Sequence, residues 1–241
     1  MANTAIETTH GVILGMKKAD VAYHAVRRSI LLGRLKPGDS LLEQKIAEEL
    51  KCSQGTVREA LMRLEHDGLV ARRGYRGTAV SQPSVEEAAE MARIRIQIEC
   101  LGIRQSAGSI GPKVVARLMA ITDEMERATR DNDYYRGSEL DREFHMIVFQ
   151  QAGFPALEPI LNRCALHVHR FTFMNAEDKV PDGQFGEVHR ALAYVLAGGD
   201  PIAAEAALRE HIERILDRFA PYLSVSKPSR GNQGENSGLE S

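Results

Sequence analysis

Residues 134–150, YYRGSELDREFHMIVFQ, contain the pattern that decides the fold of the larger part of the chain. Four apolar residues recur along them at helical spacing: Leu140, Phe144, Ile147 and Val148. This spacing predicts a helix with one buried face. Asp141 and His145 lie four residues apart, so the same helix places their side chains next to each other. An acid and an imidazole beside a buried face cost free energy unless another group satisfies them.

Two further histidines favour a metal ion as that group. His189 lies in GEVHRAL and His211 lies in REHIERIL, both within later helical patterns. A lone Asp141–His145 pair is more often a hydrogen bond on a half-exposed helical face. One such pair does not complete a metal site, so the metal interpretation depends on the other histidines. The sequence therefore predicts a metal site formed by Asp141, His145, His189 and His211.

The composition is that of a folded chain without a membrane span. Of the 241 residues, 43% are hydrophobic, which suffices for a buried core. No run of eighteen apolar residues occurs, so we expect no transmembrane helix. The N-terminus lacks the charged and apolar order of a signal peptide. Three widely spaced cysteines without a CxxC pattern are typical of reduced thiols, and we expect a cytoplasmic location.

Charge is distributed unevenly along the chain. Residues 1–81 carry 13 Lys and Arg against 9 Asp and Glu, a net charge of +4. The remaining residues carry 18 against 24, a net charge of −6, which leaves −2 for the whole chain. A basic first third and an acidic remainder indicate that only the first part meets a polyanion.

The basic part contains three short helical patterns, at residues 20–32, 42–50 and 55–67. Pro37-Gly38 predicts a turn between the first two, and Ser53 is suited to cap the third. The third pattern buries one side through four apolar residues: Val57, Ala60, Leu61 and Leu64. Two short helices with a tight link, the second with a polar front, are typical of a helix-turn-helix.

A β-hairpin is predicted directly after the third helix. Residues 69–72 and 78–81 read as two short strands around Arg73-Gly74-Tyr75-Arg76-Gly77. Two glycines and two arginines at a hairpin tip suit close approach to a phosphate backbone or a narrow groove. The hairpin is therefore the expected wing of a winged helix-turn-helix.

Residues 30–80, ILLGRLKPGDSLLEQKIAEELKCSQGTVREALMRLEHDGLVARRGYRGTAV, resemble the DNA-binding domain of GntR-family transcription regulators. The matching residues are Gly33, Pro37, Gly38, Leu42, Ala47, Ser53, Val57-Arg58-Glu59-Ala60-Leu61, Leu64, Gly68-Leu69-Val70 and Arg76-Gly77. The resemblance implies contacts with double-stranded DNA from these residues: Gln44, Ser53, Gln54, Thr56, Arg58, Arg73 and Gly74. Gln44 and Gln54 depart from the arginines found in family members. Because glutamine pairs best with adenine and arginine with guanine, we expect an operator different from the family's common half-site.

After Pro83 the chain reads as six helices without a strand pattern, from residue 84 to about residue 222. Ser84 and Glu87 are spaced as a capping box at the first of these helices. That helix, residues 84–107, has six predicted core positions: Val85, Ala88, Met91, Ile94, Ile98 and Leu101. A break is expected at Pro181-Asp182-Gly183. The expected fold is mainly α, with a winged helix-turn-helix followed by an all-α six-helix bundle.

This second part resembles the FCD type of ligand-sensing domain, found in the FadR-like branch of GntR regulators. Four segments carry the resemblance: residues 141–145, 187–190, 199–200 and 209–212. The resemblance implies that Asp141, His145, His189 and His211 hold one divalent metal ion per subunit. It also implies that Arg95 contacts an effector, although Arg95 is equally well placed for an ion pair with Glu99. Phe154 departs from the asparagine that is common in the family.

Four segments are expected: a flexible lead at residues 1–16, the DNA-binding domain at 17–82, the sensing and dimerisation domain at 83–222, and a disordered tail at 223–241. Zn²⁺ is the first choice of metal, with Ni²⁺ and Mn²⁺ as alternatives. His167 and His169 are expected to have packing or surface roles.

The expected function is a homodimeric repressor that binds a pseudo-palindromic operator and responds to a small organic acid. Binding to such an operator requires a two-fold symmetric protein, because one recognition helix reads only a few base pairs. Two alternatives remain open at this point: a metal-dependent hydrolase, in which the metal activates water, and a purely structural metal.

Overall fold

The computed structural model describes Ile6 and residues 16–174 and 185–223. Its N-terminal part contains three helices and a three-stranded antiparallel sheet. The helices are α1 (Lys18–Leu31), α2 (Glu43–Glu49) and α3 (Gln54–His66), and the strands are β1 (Ser40–Leu41), β2 (Val70–Arg72) and β3 (Thr78–Val80). The strand order is β1-β3-β2, so the wing hairpin of β2 and β3 gains a third strand from before α2. This two-residue strand is too short to leave a sequence pattern.

The helix-turn-helix forms for the reasons that the sequence indicates. All four predicted apolar residues of α3 are buried: Val57, Ala60, Leu61 and Leu64. Ser53 caps this helix, since its hydroxyl accepts a hydrogen bond of 3.1 Å from the backbone N–H of Thr56. Gly68 ends it at a φ of 77°, a left-handed conformation that glycine adopts without strain. The predicted winged helix-turn-helix is confirmed.

The C-terminal part is the predicted all-α bundle. Its six helices are α4 (Val85–Ser106), α5 (Pro112–Arg130), α6 (Tyr134–Gln150), α7 (Glu158–Met174), α8 (Phe185–Ala197) and α9 (Pro201–Phe219). Ser84 and Glu87 form the predicted capping box of α4, with hydrogen bonds of 3.1 and 2.7 Å. The α4 helix lies against α6, α7 and α9, while α5 packs against α6 and α8. Several of these helices can therefore direct side chains to one central point.

The prediction of the buried face of α4 is wrong for most of its residues. Of the predicted core positions, Ala88 is fully buried, but Val85, Ile94 and Leu101 are 43%, 39% and 41% exposed. The helix carries two apolar stripes. The bundle buries the stripe formed by Ala88, Ala92, Ile96 and Ile103. The remaining stripe consists of Met91, Ile94, Ile98 and Leu101, and we call it the outer stripe of α4. Periodicity defines both stripes, but only the neighbouring helices decide which one faces inward.

The two parts of the chain are in contact through α7. Leu166 of α7 is fully buried in the hydrophobic core of the N-terminal part. A Cβ atom at Gly68 would lie 2.5 Å from Nε of Arg163, so α7 closely approaches the end of α3. The break expected at residues 181–183 lies outside the described residues, as do the expected flexible lead (1–16) and disordered tail (223–241) apart from Ile6, Met16 and Leu223. Ile6 and Leu223 are buried in hydrophobic clusters. No helix in the described ranges is long and apolar enough to span a bilayer.

Candidate functional site

The fold brings the four predicted metal ligands together in the centre of the helical bundle. Asp141 and His145 come from α6, His189 from α8 and His211 from α9, and all four are buried. One ligand atom from each residue lies within 4.8 Å of the others. This group of three imidazoles and one carboxylate could hold a metal ion.

Asp141 lies at the centre of this group. Its Oδ1 atom is 2.9 Å from Nε2 of His189 and 3.7 Å from Nε2 of His145. The ring of His211 completes the group, with its centroid 4.4 Å from that of His189 and 5.3 Å from that of His145. A single turn of α6 supplies the first two ligands, and packing of α8 and α9 against the bundle supplies the others.

Hydrogen bonds at the far side of two imidazoles turn their other nitrogens toward this centre. The Nδ1 atom of His189 donates to the carbonyl oxygen of Phe185 at 2.8 Å. The Nδ1 atom of His145 lies 2.5 Å from the Glu99 carboxylate, to which it donates. Histidines that bind metals are commonly held in this way. Because Nδ1 of His189 is the donor, its Nε2 atom facing Asp141 requires a proton or a metal cation between the two acceptors.

Several buried nitrogen atoms of the group have no hydrogen-bond partner within the described part of the chain. They are Nε2 of His145 and both ring nitrogens of His211. A buried polar atom without a partner costs free energy that a bound ligand would recover. The lone pairs of Nε2 of His145 and of one ring nitrogen of His211 are thus available for a metal ion, and the residues fit the predicted cofactor.

The charge balance of the group also favours a cation. Arg95 donates from Nε to Glu99 at 2.7 Å, and its Nη2 atom lies 3.5 Å from Oδ2 of Asp141. With neutral imidazoles, two carboxylates and one guanidinium leave a buried net charge of −1. A buried unbalanced charge is destabilising unless a further cation offsets it. The ion pair between Arg95 and Glu99 is thus present. A contact between Arg95 and an effector stays a prediction.

The protonation states suit metal binding. Burial raises the pKa of Asp141, but electrostatic interaction with His145 and hydrogen bonding with His169 and His189 hold that pKa well below its usual value. Burial, followed by electrostatic interaction with His189 and His145, lowers the pKa of His211 well below its usual value. An ionised carboxylate and a neutral imidazole are the forms that ligate a metal.

Sequence reasoning missed the role of His169. Both His167 and His169 are buried, so a surface role is wrong for each of them. Nε2 of His169 donates to Oδ2 of Asp141 at 2.8 Å, on the side of the carboxylate away from His189. The two residues are 28 positions apart on different helices, so no local spacing signals the contact. Glu99, which orients His145, had one signal in the sequence: its four-residue distance from Arg95.

The predicted DNA-contacting residues lie on α2, at the start of α3 and at the tip of the wing. All of them are exposed except Thr56, which is half-buried. The hydroxyls of Ser53 and Thr56 are hydrogen bonded at 2.9 Å. Arg58 forms a bidentate ion pair with Glu43 of α2, with its shortest distance, 2.7 Å, from Nη2 to Oε2. No spacing along the chain indicates this pairing, and the roles of these residues in DNA binding stay predictions.

Fold and site together define a class of protein: a winged helix-turn-helix domain followed by a helical domain with a buried Asp–His group. The family profile "Bacterial regulatory proteins, gntR family" matches residues 18–80, and the profile "FCD domain" matches residues 90–214. The chain belongs to the GntR family of transcription regulators and carries an FCD domain. The predicted family is confirmed.

Known relatives agree with this assignment. The chain is 26% identical over 195 residues to the HTH-type transcriptional repressor RspR of Escherichia coli K12, covering 81% of this chain and 86% of RspR. The solved structure of E. coli McbR/YncC matches with a TM-score of 0.70 at 20% identity, over 83% of this chain and 95% of that one. A GntR transcriptional regulator from Rhodococcus sp. RHA1 matches with a TM-score of 0.64 at 25% identity, over 88% and 100% of the two chains.

Proposed function

We propose that the protein is a homodimeric, metal-dependent repressor whose operator affinity is controlled by a small organic acid. The observation that carries the proposal is the buried Asp–His group, which is negatively charged and contains unpartnered nitrogens, in the same chain as a winged helix-turn-helix. As a DNA-binding regulator, the protein is proposed to act in the cytoplasm, where its operator would lie. The repressor assignment is supported by a relative, RspR, that is named a repressor.

The metal is Zn²⁺ in this proposal, one ion per subunit, held by Asp141, His145, His189 and His211. Three imidazoles and one carboxylate match the ligand preference of Zn²⁺, and Ni²⁺ and Mn²⁺ are the alternatives. When bound, the ion supplies a Lewis-acidic centre that attracts anionic oxygen donors. Glu99 keeps the His145 ring oriented toward the ion through the contact at Nδ1.

An anionic effector follows from the charge balance. A divalent ion converts the net charge of −1 in the group into +1, which one carboxylate of a ligand would neutralise. Arg95 lies beside Asp141 and is the candidate to hold a second acidic group of the ligand. A hydroxy acid, a dicarboxylic acid or a sugar acid therefore fits the centre best.

The homodimer is proposed to form through the outer stripe of α4. Its residues Ile94 and Leu101 are exposed, and Ile160 on the adjacent helix α7 is 46% exposed. Adjacent apolar side chains on a surface are typical of an interface between subunits. Ile94→Glu should convert the dimer into a monomer in sedimentation experiments and weaken binding to a two-half-site operator. An unchanged mass would contradict this assignment of the interface.

Calorimetry tests the control by the effector. An operator is first selected from random DNA with the Zn²⁺-loaded protein, and lactate, succinate and gluconate are then titrated with and without it. If an acid releases the dimer, operator DNA must weaken binding of the acid by the same factor as the acid weakens binding of DNA. Equal affinities with and without the operator for every acid bound would contradict this coupling. A metal that is purely structural would give this result.

A further inference from the structure

The α7 helix connects the metal centre directly to the DNA-binding domain. On one side of α7, His169 donates to Oδ2 of Asp141 at 2.8 Å. The next residue, Arg170, donates to the hydroxyl and the carbonyl oxygen of Ser81, at 3.0 and 2.8 Å. Ser81 follows directly after β3, where the wing leads into α4. Two consecutive residues of one helix thus contact the predicted metal ligand and the base of the wing.

The contact of Arg170 is sensitive to position. Its side chain is 1% exposed, and no ion pair of this residue occurs within the described ranges. Burial lowers the pKa of Arg170 to about 10. A buried guanidinium without a carboxylate depends on the hydrogen bonds that it makes, because losing them leaves a desolvated charge unpaired. Displacement of Ser81 relative to α7 is therefore costly.

Other residues of α7 contact the end of α3 and the core of the DNA-binding domain. Asn162 donates from Nδ2 to Oδ1 of Asp67 at 3.3 Å, and Asp67 is the residue directly after α3. One turn further along α7, Leu166 is buried in the core of the DNA-binding domain. A helix moves as a rigid element, so a shift at His169 also moves Asn162, Leu166 and Arg170.

We infer that His169 is a positioning residue of the metal centre and that α7 couples metal occupancy to the seating of the DNA-binding domain. The inference rests on the proposed metal site. The carboxylate of Asp141 is shared: Oδ1 faces His189 and His145, while Oδ2 accepts the hydrogen bond from His169. If Asp141 held a metal ion, its hydrogen bond from His169 would persist only if α7 retained its position. Metal binding consequently favours the arrangement in which Arg170 reaches Ser81.

The first experiment measures Zn²⁺ affinity by competition with a chromophoric chelator. His169→Leu removes the donor and retains the bulk, and we expect about 10–100-fold weaker Zn²⁺ binding, as is usual for loss of such a partner. His169→Gln places an amide nitrogen near the position of Nε2 and should restore affinity to within a few fold. His167→Leu, on the same helix, is the matched control and should bind Zn²⁺ as the wild type does. Wild-type affinity in His169→Leu, or no rescue by glutamine, overturns the inference.

The second experiment measures the ratio of operator affinities with Zn²⁺ and with a chelator. We expect a ratio well above one for the wild type and a ratio near one for Arg170→Met. Ser81→Ala, which removes one of the two acceptors, should lower the ratio less. It replaces Arg170→Met if circular dichroism shows that this variant does not fold. A wild-type ratio of one, or a ratio that neither variant lowers, overturns the coupling.

The wild type separates failure of the inference from failure of the proposed function. If it takes up no Zn²⁺ or selects no operator, the proposed function is wrong and the inference falls with it. If it does both while the His169 and Arg170 variants behave as the wild type does, only the inference is wrong.

Discussion

The two functional regions use polar side chains in opposite ways. The residues expected to contact DNA are exposed or half-buried, and four of them lie between Ser53 and Arg58. The residues of the proposed metal centre are buried and come from α4, α6, α7, α8 and α9. Water can hydrogen-bond to the exposed DNA-contacting side chains before DNA binds. The buried side chains must instead hydrogen-bond to one another or bind an ion. Substitutions of the DNA-contacting residues should therefore lower function without lowering stability. Substitutions in the buried group should lower both.

The largest effect is expected in the metal centre. His211→Ala should abolish uptake of Zn²⁺ at stoichiometric concentration, because it removes a metal ligand. Loss of a residue that only hydrogen-bonds to a ligand has a smaller effect, roughly 10–100-fold in metal affinity. The rise in melting temperature on addition of Zn²⁺ should disappear with it, since an ion that binds only the folded state stabilises that state. Elemental analysis and thermal melts measure both effects.

Arg58→Ala is the matched control from the DNA-binding region and should take up one Zn²⁺ per subunit. One ion per subunit in the His211→Ala protein would show that the group of four residues is not the site.

The second effect concerns pH and a buried residue outside the ligand set. Burial, together with the charges of Arg170 and Arg163, lowers the pKa of His167 from 6.5 to about 4. The unfolded chain therefore binds a proton below pH 6.5 that the folded protein binds only near pH 4. Stability is unaffected above pH 6.5 and is lost as the pH falls, by about 3 kcal/mol at pH 4 from this residue.

Urea unfolding of the wild type and of His167→Leu between pH 7 and pH 4.5 measures this contribution. Asp141, Glu99 and His211 titrate in both proteins, so the difference between the two curves isolates His167. Parallel curves would contradict the expected shift.

A smaller effect is expected on the DNA-reading surface. Arg58→Ala should weaken specific operator binding by about 1–3 kcal/mol, the usual cost of losing a charged contact to a base edge. Its melting temperature should change little, because the ion pair with Glu43 is solvent-exposed and such pairs contribute little to stability. Gel-shift titrations and thermal melts measure the two quantities.

Glu43→Gln sharpens this prediction. It releases Arg58 from its partner, so operator affinity should be equal to or higher than that of the wild type. A loss as large as that of Arg58→Ala would show that the pair, rather than the free arginine, is what DNA recognises.

The smallest effect is expected at the wing. Arg73→Ala should lower affinity to a similar extent for operator and unrelated DNA. The slope of log affinity against log salt should become shallower by about one, because one phosphate contact is lost. Titrations at four salt concentrations measure this slope. A loss confined to the operator would instead assign Arg73 to base recognition.

Much of the DNA-binding domain could be predicted because its structure is determined locally. The spacing of Val57, Ala60, Leu61 and Leu64 determines which side of α3 is buried, and Ser53 determines where the helix begins. The same holds within the metal centre for Asp141 and His145, which a single helical turn places side by side. His189 and His211 could be named as candidates from their place in later helical patterns and from the family resemblance, but their meeting with Asp141 required the packing of three helices.

What the sequence by itself determined is the set of helices and the residues that share a face. What only the tertiary structure decided is which face turns inward and which distant residues meet. Helical periodicity defines the outer stripe of α4 as clearly as the buried one, and only the packing of α6, α7 and α9 against α4 selects between them. The contacts from His169 to Asp141 and from Arg170 to Ser81 join residues 28 and 89 positions apart. Spacing along one helix does not predict such contacts, because they depend on how whole helices pack against one another.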